Sequence, residues 1–213
     1  MAQTAKAQRW QRRKGARPAE LLDAALAVFF EKGFAAARLD DIATRAGVSK
    51  GTVYLYFDSK EDVFAALVRD IPQAKVEQVR AVAADASVPA DELLQRVMRF
   101  VGGFLRDERM MKFPRLIIAE AGNFPHLAEI YKREVISRGI EILSTIIKRG
   151  VAEGAFREVD PRHAGYAALA PLLFVALWRT TFERFDDAPL DAQAFVEQHI
   201  DNFVRGIRRG AEP

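Results

Sequence analysis

Apolar side chains recur along this chain at steps of three and four residues, the period of an amphipathic α-helix. These stripes, bounded by capping residues, glycine or proline, predict nine helical segments. They cover residues 18–33, 39–46, 50–56, 59–84, 89–106, 113–122, 125–153, 161–185 and 190–209. Five prolines are placed at helix starts or in first turns: Pro89, Pro114, Pro125, Pro161 and Pro189. No useful stretch alternates as a strand does. The pattern therefore predicts an all-α protein.

Residues 39–60 are interpreted as two short helices joined by a tight turn. The apolar stripe of the first helix ends at Gly47, which can adopt the positive φ of a helix stop. Ser49 is placed to cap the second helix, whose inner face is Val53 and Phe57. The remaining side chains of that helix point outward and are mostly small, hydroxyl-bearing or cationic. This is the geometry of a helix-turn-helix that reads DNA.

A further capping motif follows the second helix. Ser59 and Asp62 resemble a capping box, with aspartate in place of the usual glutamate or glutamine. Lys60 then lies in the first turn of a long helix, where a cation opposes the helix dipole. We therefore expect an anion nearby, and a DNA phosphate would serve.

Residues 18–68 resemble the DNA-binding domain of the tetracycline-repressor (TetR) family of bacterial transcriptional regulators. The resemblance is carried by Asp-Ile-Ala at 41–43, Ala-Gly-Val-Ser-Lys-Gly-Thr-Val-Tyr at 46–54, Tyr-Phe at 56–57 and Ser-Lys-Glu at 59–61. One departure is Arg38, because members of the family usually carry serine or threonine there. Arg38 loses a hydroxyl cap and offers a phosphate contact in its place.

The resemblance implies a division of the DNA contacts into two kinds. Tyr56 and Lys60 would mainly hold phosphates, whereas the start of the second helix would lie at or near base edges. The predicted DNA-binding residues are Arg38, Ser49, Lys50, Gly51, Thr52, Tyr54, Tyr56 and Lys60.

Positive charge is concentrated at the N-terminal end, although the net charge is only +3. Residues 1–60 hold 11 Lys and Arg against 6 Asp and Glu, whereas residues 61–213 hold 21 against 23. Residues 1–17 contain six cations and no acid, which predicts a flexible basic arm. Such an arm either follows the DNA backbone or serves only as a solubilising tail.

The remaining residues, 69–213, are predicted to form a larger helical domain for ligand binding and dimerisation. Segment 161–185 is apolar nearly all round, and segment 190–209 adds a second apolar stripe. Two such helices from each subunit would form a four-helix interface, as the resemblance also implies. The alternative is that both helices only complete the core of the monomer. A symmetric dimer would bind an inverted-repeat operator.

Aromatic, methionine and aliphatic residues accumulate in the middle of this domain. Their simplest role is core packing, but together they suggest an apolar pocket with few polar groups. Glu120 would then select a cationic or hydrogen-bond-donating ligand, unless it is exposed or paired with an arginine. The predicted ligand-binding residues are Phe100, Phe104, Met111, Phe113, Ile117, Glu120, Phe174 and Trp178. Asn123 and His126 are polar neighbours of this set.

Several function classes are disfavoured by what the chain lacks. It has no cysteine, and its three histidines are scattered without metal-ligand spacing. Gly102-Gly103 lacks the lysine and strand of a phosphate loop and instead suggests a kink or close helix packing. We therefore expect no enzyme activity, no metal and no cofactor.

The chain shows no targeting or membrane segment. Its N-terminus lacks the apolar core of a signal peptide, and the uncharged stretch 164–178 is too short for a comfortable span. These features predict a cytoplasmic protein without a membrane partner.

The sequence thus predicts a homodimeric repressor that a small, mostly apolar ligand releases from double-stranded DNA. The proposed ligand would enter between segments 89–106, 113–122 and 161–185 and move segment 59–84. Two alternatives remain open. One is a helix-turn-helix regulator without an effector, and the other is a helical binding protein whose DNA reader is inactive.

Overall fold

The computed structural model describes the backbone of residues 2–210 and the side chains of residues 18–210. The first predicted helix, 18–33, starts too late, because α1 (Ala2–Ala36) begins at Ala2 and includes the backbone of the predicted flexible arm. The side chains of this arm, residues 1–17, lie outside the described residues, so its contact with DNA stays a prediction. In the described part the protein is all-α, as predicted, with one isolated bridge between Phe156 and Arg208. The helices are α1 (Ala2–Ala36), α2 (Leu39–Arg45), α3 (Lys50–Tyr54), α4 (Lys60–Val68), α5 (Ala74–Ala83), α6 (Ala90–Gly103), α7 (Glu108–Glu120), α8 (Pro125–Tyr131), α9 (Ser137–Ala152), α10 (Pro161–Thr181) and α11 (Ala192–Ile207).

Helices α1 to α4 pack into an N-terminal domain whose turns follow the predicted capping chemistry. Gly33 interrupts α1 with φ 77°, and Gly47 ends the turn after α2 with φ 65°. Both angles are left-handed, which glycine adopts at little cost. Ser49 and Ser59 cap α3 and α4 by accepting hydrogen bonds from backbone N–H groups two or three residues into each helix. Local sequence therefore sets where α3 and α4 begin.

Each of two predicted long helices is divided into two α-helices by a π-helical turn. Residues Arg69–Gln73 join α4 to α5, and Lys132–Ile136 join α8 to α9, so the predicted segments 59–84 and 125–153 are interrupted. Pro72 lies in the first π turn and cannot donate a backbone hydrogen bond, which explains the local widening.

The predicted start of segment 113–122 is wrong. Helix α7 begins at Glu108, because Asp107 caps it by accepting hydrogen bonds from the N–H groups of Arg109 (3.0 Å) and Met110 (3.4 Å). Pro114 consequently lies in the middle of the helix rather than in its first turn. Its ring leaves one carbonyl of the preceding turn without a helical donor.

The C-terminal domain, α5 to α11, surrounds a second hydrophobic cluster. Helices α6, α9, α10 and α11 supply most of its buried side chains. Gly102 allows α6 to approach α11 closely, since a Cβ at this position would lie 2.6 Å from Val196 Cγ1. This confirms the close-packing interpretation for Gly102, whereas Gly103 faces open space.

The hydrophobic cluster of the N-terminal domain extends into the C-terminal domain. Besides α1 to α4, it contains residues of α7 and α8: Phe113, Leu116, Ile117, Leu127 and Tyr131. Helix α7 is therefore packed against both halves of the molecule. None of the helices in the part that the structure describes has the length and hydropathy that a membrane crossing requires.

The two adjacent glycines of α6 offer a test of this packing. We expect Gly102→Ala to lower stability by about 1–3 kcal/mol, because the new methyl group meets the stiff, buried Val196 side chain. The matched variant Gly103→Ala should be neutral or stabilising by up to about 1 kcal/mol through helix propensity. Urea unfolding midpoints measure both, and equal midpoints for the two variants would contradict the close approach.

Candidate DNA interface and ligand cavity

The second helix of the helix-turn-helix, α3, presents an outward surface as predicted. Ser49 Oγ accepts a hydrogen bond from Thr52 N–H at 3.3 Å and lies 2.9 Å from Thr52 Oγ1. Val53 is fully buried beneath the helix, and Tyr54 and Tyr56 are exposed. Ser49, Gly51 and Thr52 are accordingly held at the surface by a rigid first turn.

Lys50 is held only by a weak contact. Its ammonium group pairs with the carboxylate of Asp40, and the two side chains are 67% and 43% exposed. Exposed ion pairs contribute about 0–1 kcal/mol, so Lys50 can leave Asp40 for a DNA acceptor at little cost.

Arg38 is exposed at the start of α2 and supplies no side-chain cap, but the other half of a capping box is present. The Asp41 carboxylate accepts a hydrogen bond from Arg38 N–H at 3.1 Å. A hydrogen bond from Lys32, at 2.7 Å, lowers the pKa of Asp41 and keeps this cap ionised. The guanidinium group of Arg38 therefore takes no part in the cap.

The Lys60 ammonium group is compensated by backbone carbonyl groups, whereas the sequence led us to expect an anion. Its ammonium group donates hydrogen bonds to the carbonyls of Phe34 (2.8 Å), Ala35 (2.9 Å) and Ala37 (3.4 Å) at the end of α1. It also lies 4.7 Å from the ring centroid of Phe34. The partial negative charge at a helix C-terminus compensates the cation. A phosphate contact by Lys60 stays a prediction.

Leu55 is a surface residue that the predicted set omits. It is 82% exposed, the highest value among the exposed large apolar side chains of the described residues. It lies two residues from each of the inward-facing Val53 and Phe57, and this spacing already indicated an outward position. An apolar side chain here can contact a thymine methyl group.

A cavity of about 440 Å³ lies in the C-terminal domain and is open to the surface on one side, where Ile118, Tyr166 and Leu173 are exposed. Helices α5, α6, α7, α9 and α10 contribute most of its wall. Three of the eight predicted ligand-binding residues line it: Phe104, Met111 and Ile117. Met110, Pro114 and Ile118 complete the α7 side of the wall.

The other predicted aromatic residues lie elsewhere. Phe100 packs edge-on against Phe104 behind the wall, and Phe113 is fully buried in the N-terminal cluster. Phe174 and Trp178 lie on the other side of α10, with ring centroids 5.6 Å apart. Helical periodicity explains these errors, because only residues on the inner face of α7 and of α10 reach the cavity.

The prediction that Glu120 lies in the pocket is wrong, since this residue does not line the cavity. It is buried, and its Oε1 accepts a hydrogen bond from Phe34 N–H of α1 at 2.7 Å. Asn123 and His126 are exposed and also lie outside the cavity wall.

The polar groups of the cavity are ones that the predicted set missed. Lys75 is the one charged residue among those lining it, and Tyr131 and Tyr166 supply phenolic hydroxyls. Burial raises the pKa of Tyr131, so its phenol stays neutral. The apolar stripe of segment 59–84 could have indicated Val76 and Val79, but not the lysine beside them.

An exposed aromatic surface runs along the outer side of α10. Its large exposed apolar residues are Phe174 of α10 and Phe182 and Phe185 of the turn after it, whereas the exposed Tyr166 and Leu173 of α10 border the cavity. By contrast, Val196, Ile200, Val204 and Ile207 of α11 are buried in the monomer. The alternative that these helices complete the monomer core thus holds for the main stripe of α11.

Comparison with known proteins supports the helix-turn-helix and the C-terminal domain separately. The model for bacterial regulatory proteins of the tetR family matches residues 21–67, and the model for the C-terminal domain of AefR-like transcriptional repressors matches residues 92–207. The second match alone covers more than half of the chain.

Individual relatives point the same way. The uncharacterised HTH-type transcriptional regulator YfiR of Bacillus subtilis is 31% identical over 154 residues, which cover 70% of this chain and 72% of YfiR. RutR, an HTH-type transcriptional regulator of Escherichia coli, is 25% identical over 207 residues, with coverages of 91% and 89%.

Among solved structures, the complex of SmeT with triclosan has the same fold, with a TM-score of 0.77 and 24% identity. The alignment covers 93% of this chain and 98% of SmeT, the repressor of a Stenotrophomonas maltophilia efflux pump. The matched families and these relatives are transcriptional regulators and not enzymes. The chain belongs to the tetR family of bacterial regulatory proteins and is a DNA-binding transcriptional regulator.

Proposed function

We propose that this regulator is a homodimeric repressor of an inverted-repeat operator and that a mostly apolar small molecule releases it. The observation that carries the effector is the cavity of about 440 Å³, which is within the usual volume of small-molecule sites. A regulator without an effector would have a filled core at this place. The outward Tyr54, Leu55 and Tyr56 favour an active DNA reader over an inactive one.

In this proposal α3 lies in the major groove of each half-site. Lys50, Gly51, Thr52 and Tyr54 meet base edges, while Arg38, Tyr56 and Lys60 contact the backbone and Ser49 holds the first turn. Two copies of α3 about 34–36 Å apart would reach half-sites one helical turn apart.

Substitutions in α3 and at Lys60 separate these two kinds of contact. We expect Thr52→Ala and Tyr54→Ala to change which duplex is preferred, by about 1–3 kcal/mol at the affected base pair. Lys60→Ala should weaken binding to every duplex by a similar factor, because neither a phosphate nor the end of α1 carries base information.

Fluorescence anisotropy against operator duplexes with single base changes, at two salt concentrations, measures these effects. A smaller salt slope for Lys60→Ala assigns it to a phosphate, whereas an unchanged slope with a lower melting temperature assigns it to the α1 carbonyls alone. Unchanged preferences in the α3 variants would contradict the base contacts.

The proposed dimer interface is formed by the aromatic surface of α10 and the outer side of α11. The ring centroids of Phe174 and of Phe195 in α11 are 6.0 Å apart, and those of Trp178 and Phe182 are 5.4 Å apart. His199 and Phe203 continue this row at helical spacing and are half-buried in the single chain. A contiguous exposed apolar surface of this kind is typical of a protein interface.

Introducing a charge into the aromatic surface tests this interface. We expect Phe174→Glu to make the protein monomeric at micromolar concentration, because a carboxylate would be desolvated at the centre of the contact. The matched control Lys148→Glu, on the exposed side of α9, should stay dimeric. Analytical ultracentrifugation gives the masses, and a dimeric Phe174→Glu protein would exclude this surface.

The cavity favours an effector with an apolar body and an anionic end. Lys75 is its one charged lining residue, and its acidic neighbour Asp107 is 4.0 Å away, at the limit of an ion pair. Its ammonium group also lies 5.2 Å from the ring centroid of Phe104. This replaces the cationic ligand that Glu120 suggested, because Glu120 faces α1.

Two probes of equal length test this preference. We expect decanoate to bind at least about tenfold more tightly than decylamine, since the carboxylate pairs with Lys75 and the ammonium group is repelled. Lys75→Met should remove the difference while keeping the apolar volume. Isothermal titration calorimetry measures both probes, and an equal affinity for the wild-type protein would contradict the anionic end.

A further inference from the structure

Glu120 is the one buried charged side chain in the part of the chain that the structure describes, with 8% exposure. A buried carboxylate is costly unless hydrogen bonds compensate its lost hydration. The compensation comes from the other domain, since Phe34 N–H of α1 donates to Glu120 Oε1 at 2.7 Å. A charge-assisted hydrogen bond thus joins the end of α7 to the end of α1.

The backbone of α1 is shaped to make this contact. Gly33, with φ 77°, breaks the helical hydrogen-bonding pattern immediately before Phe34 and leaves the Phe34 N–H free to point at α7. Gly33 also makes room for the carboxylate, because a Cβ at this position would lie 2.8 Å from Glu120 Oε1. The contact between Glu120 and Phe34 therefore depends both on the left-handed backbone of Gly33 and on its lack of a side chain.

Phe34 is also held by α4 of the N-terminal domain. Lys60, at the start of α4, donates to the Phe34 carbonyl at 2.8 Å, and the ring of Phe34 packs edge-on against Phe64 of α4 with centroids 5.9 Å apart. Phe34 therefore connects α4, which carries the helix-turn-helix into the C-terminal domain, with α7.

Helix α7 contacts α1 along its whole length. Arg109 pairs with Asp23 at 2.9 Å near the start, and Arg115 lies 5.0 Å from the ring centroid of Phe30 further along. Glu120 forms the last contact of the series. The opposite stripe of α7 lines the cavity through Met110, Met111, Pro114, Ile117 and Ile118.

We propose that Glu120 is the positioning residue through which α7 holds the N-terminal domain in the orientation that binds the operator. A molecule in the cavity presses on the opposite stripe of α7 and displaces the carboxylate from Phe34 N–H. The N-terminal domain then loses its fixed orientation and the protein leaves the operator. This inference rests on the proposed function and adds the contact that transmits the signal.

The test uses the full-length protein without any effector. Asp58→Cys and Lys148→Cys place two spin labels on exposed positions of the two domains, and the chain has no other cysteine. Double electron–electron resonance, with excess unlabelled protein to isolate distances within one subunit, reports the domain orientation. Operator affinity is measured in parallel on the duplex that the wild-type protein selects from a random library.

Three substitutions are compared. Glu120→Leu keeps an apolar volume but removes the acceptor, so we expect a broadened distance distribution and an operator affinity lower by about tenfold. Glu120→Gln keeps an acceptor oxygen, so its distance distribution should remain narrow and its operator affinity should stay within about threefold of the wild-type value. Glu108→Gln, an exposed carboxylate on the same helix, should change neither quantity.

A wild-type distance distribution and wild-type affinity in Glu120→Leu would overturn the proposal. If the leucine variant does not fold, Glu120→Asp decides in the same way, since its shorter side chain draws the carboxylate away from Phe34. If the wild-type protein selects no duplex, the proposed operator function fails, and the distances alone support or overturn the role of Glu120 in domain orientation.

Discussion

The packing of α1 is the constraint on which the rest of the structure depends. One stripe of this helix closes the small core of the N-terminal domain, and a neighbouring stripe is covered by α7 of the C-terminal domain. A helix-turn-helix of this size buries little apolar surface by itself, so the shared cluster gives it a larger core. Stability of the DNA reader and its connection to the cavity are consequences of the same contact surface.

The sequence of α7 must satisfy two neighbours at once, α1 and the cavity. One stripe must fit α1, the opposite stripe must border a cavity, and neither can be changed without affecting the other. Pro114 lies in the middle of the helix beside the cavity, and because proline has no backbone N–H, one helical hydrogen bond is missing there. A helix that is weakly bonded at this point can bend or shift when the cavity is filled, and its two ends, at Arg109 and Glu120, report the shift to α1.

The outer surfaces of the two domains show opposite chemistry. On α3 the exposed residues surround a buried Val53, and the one cation among them is held by an exposed and easily broken ion pair. On the outer side of α10 the exposed Phe174 makes tilted ring contacts with Trp178 and with Phe195 of α11. The first surface suits a charged, hydrated partner such as DNA, and the second suits a second copy of the protein.

The sequence by itself determined the all-α class, most of the helical segments and the helix-turn-helix with its caps. Ser49, Ser59 and Gly47 act through hydrogen bonds and dihedral angles within a few residues, so local pattern was sufficient to place them. Pro114 was misplaced because the Asp107 cap starts α7 one and a half turns earlier than the proline signal indicates.

Only the tertiary structure decided which side of each helix meets which neighbour. The accumulation of aromatic residues in the C-terminal domain was visible in the sequence, but its division into cavity wall, core and outer surface was not. Glu120 and Lys60 show the reason most clearly, because their partners lie 86 and 26 residues away in the chain, on the same residue, Phe34. Periodicity specifies that a side chain is buried or exposed, whereas the identity of its partner depends on how the helices pack.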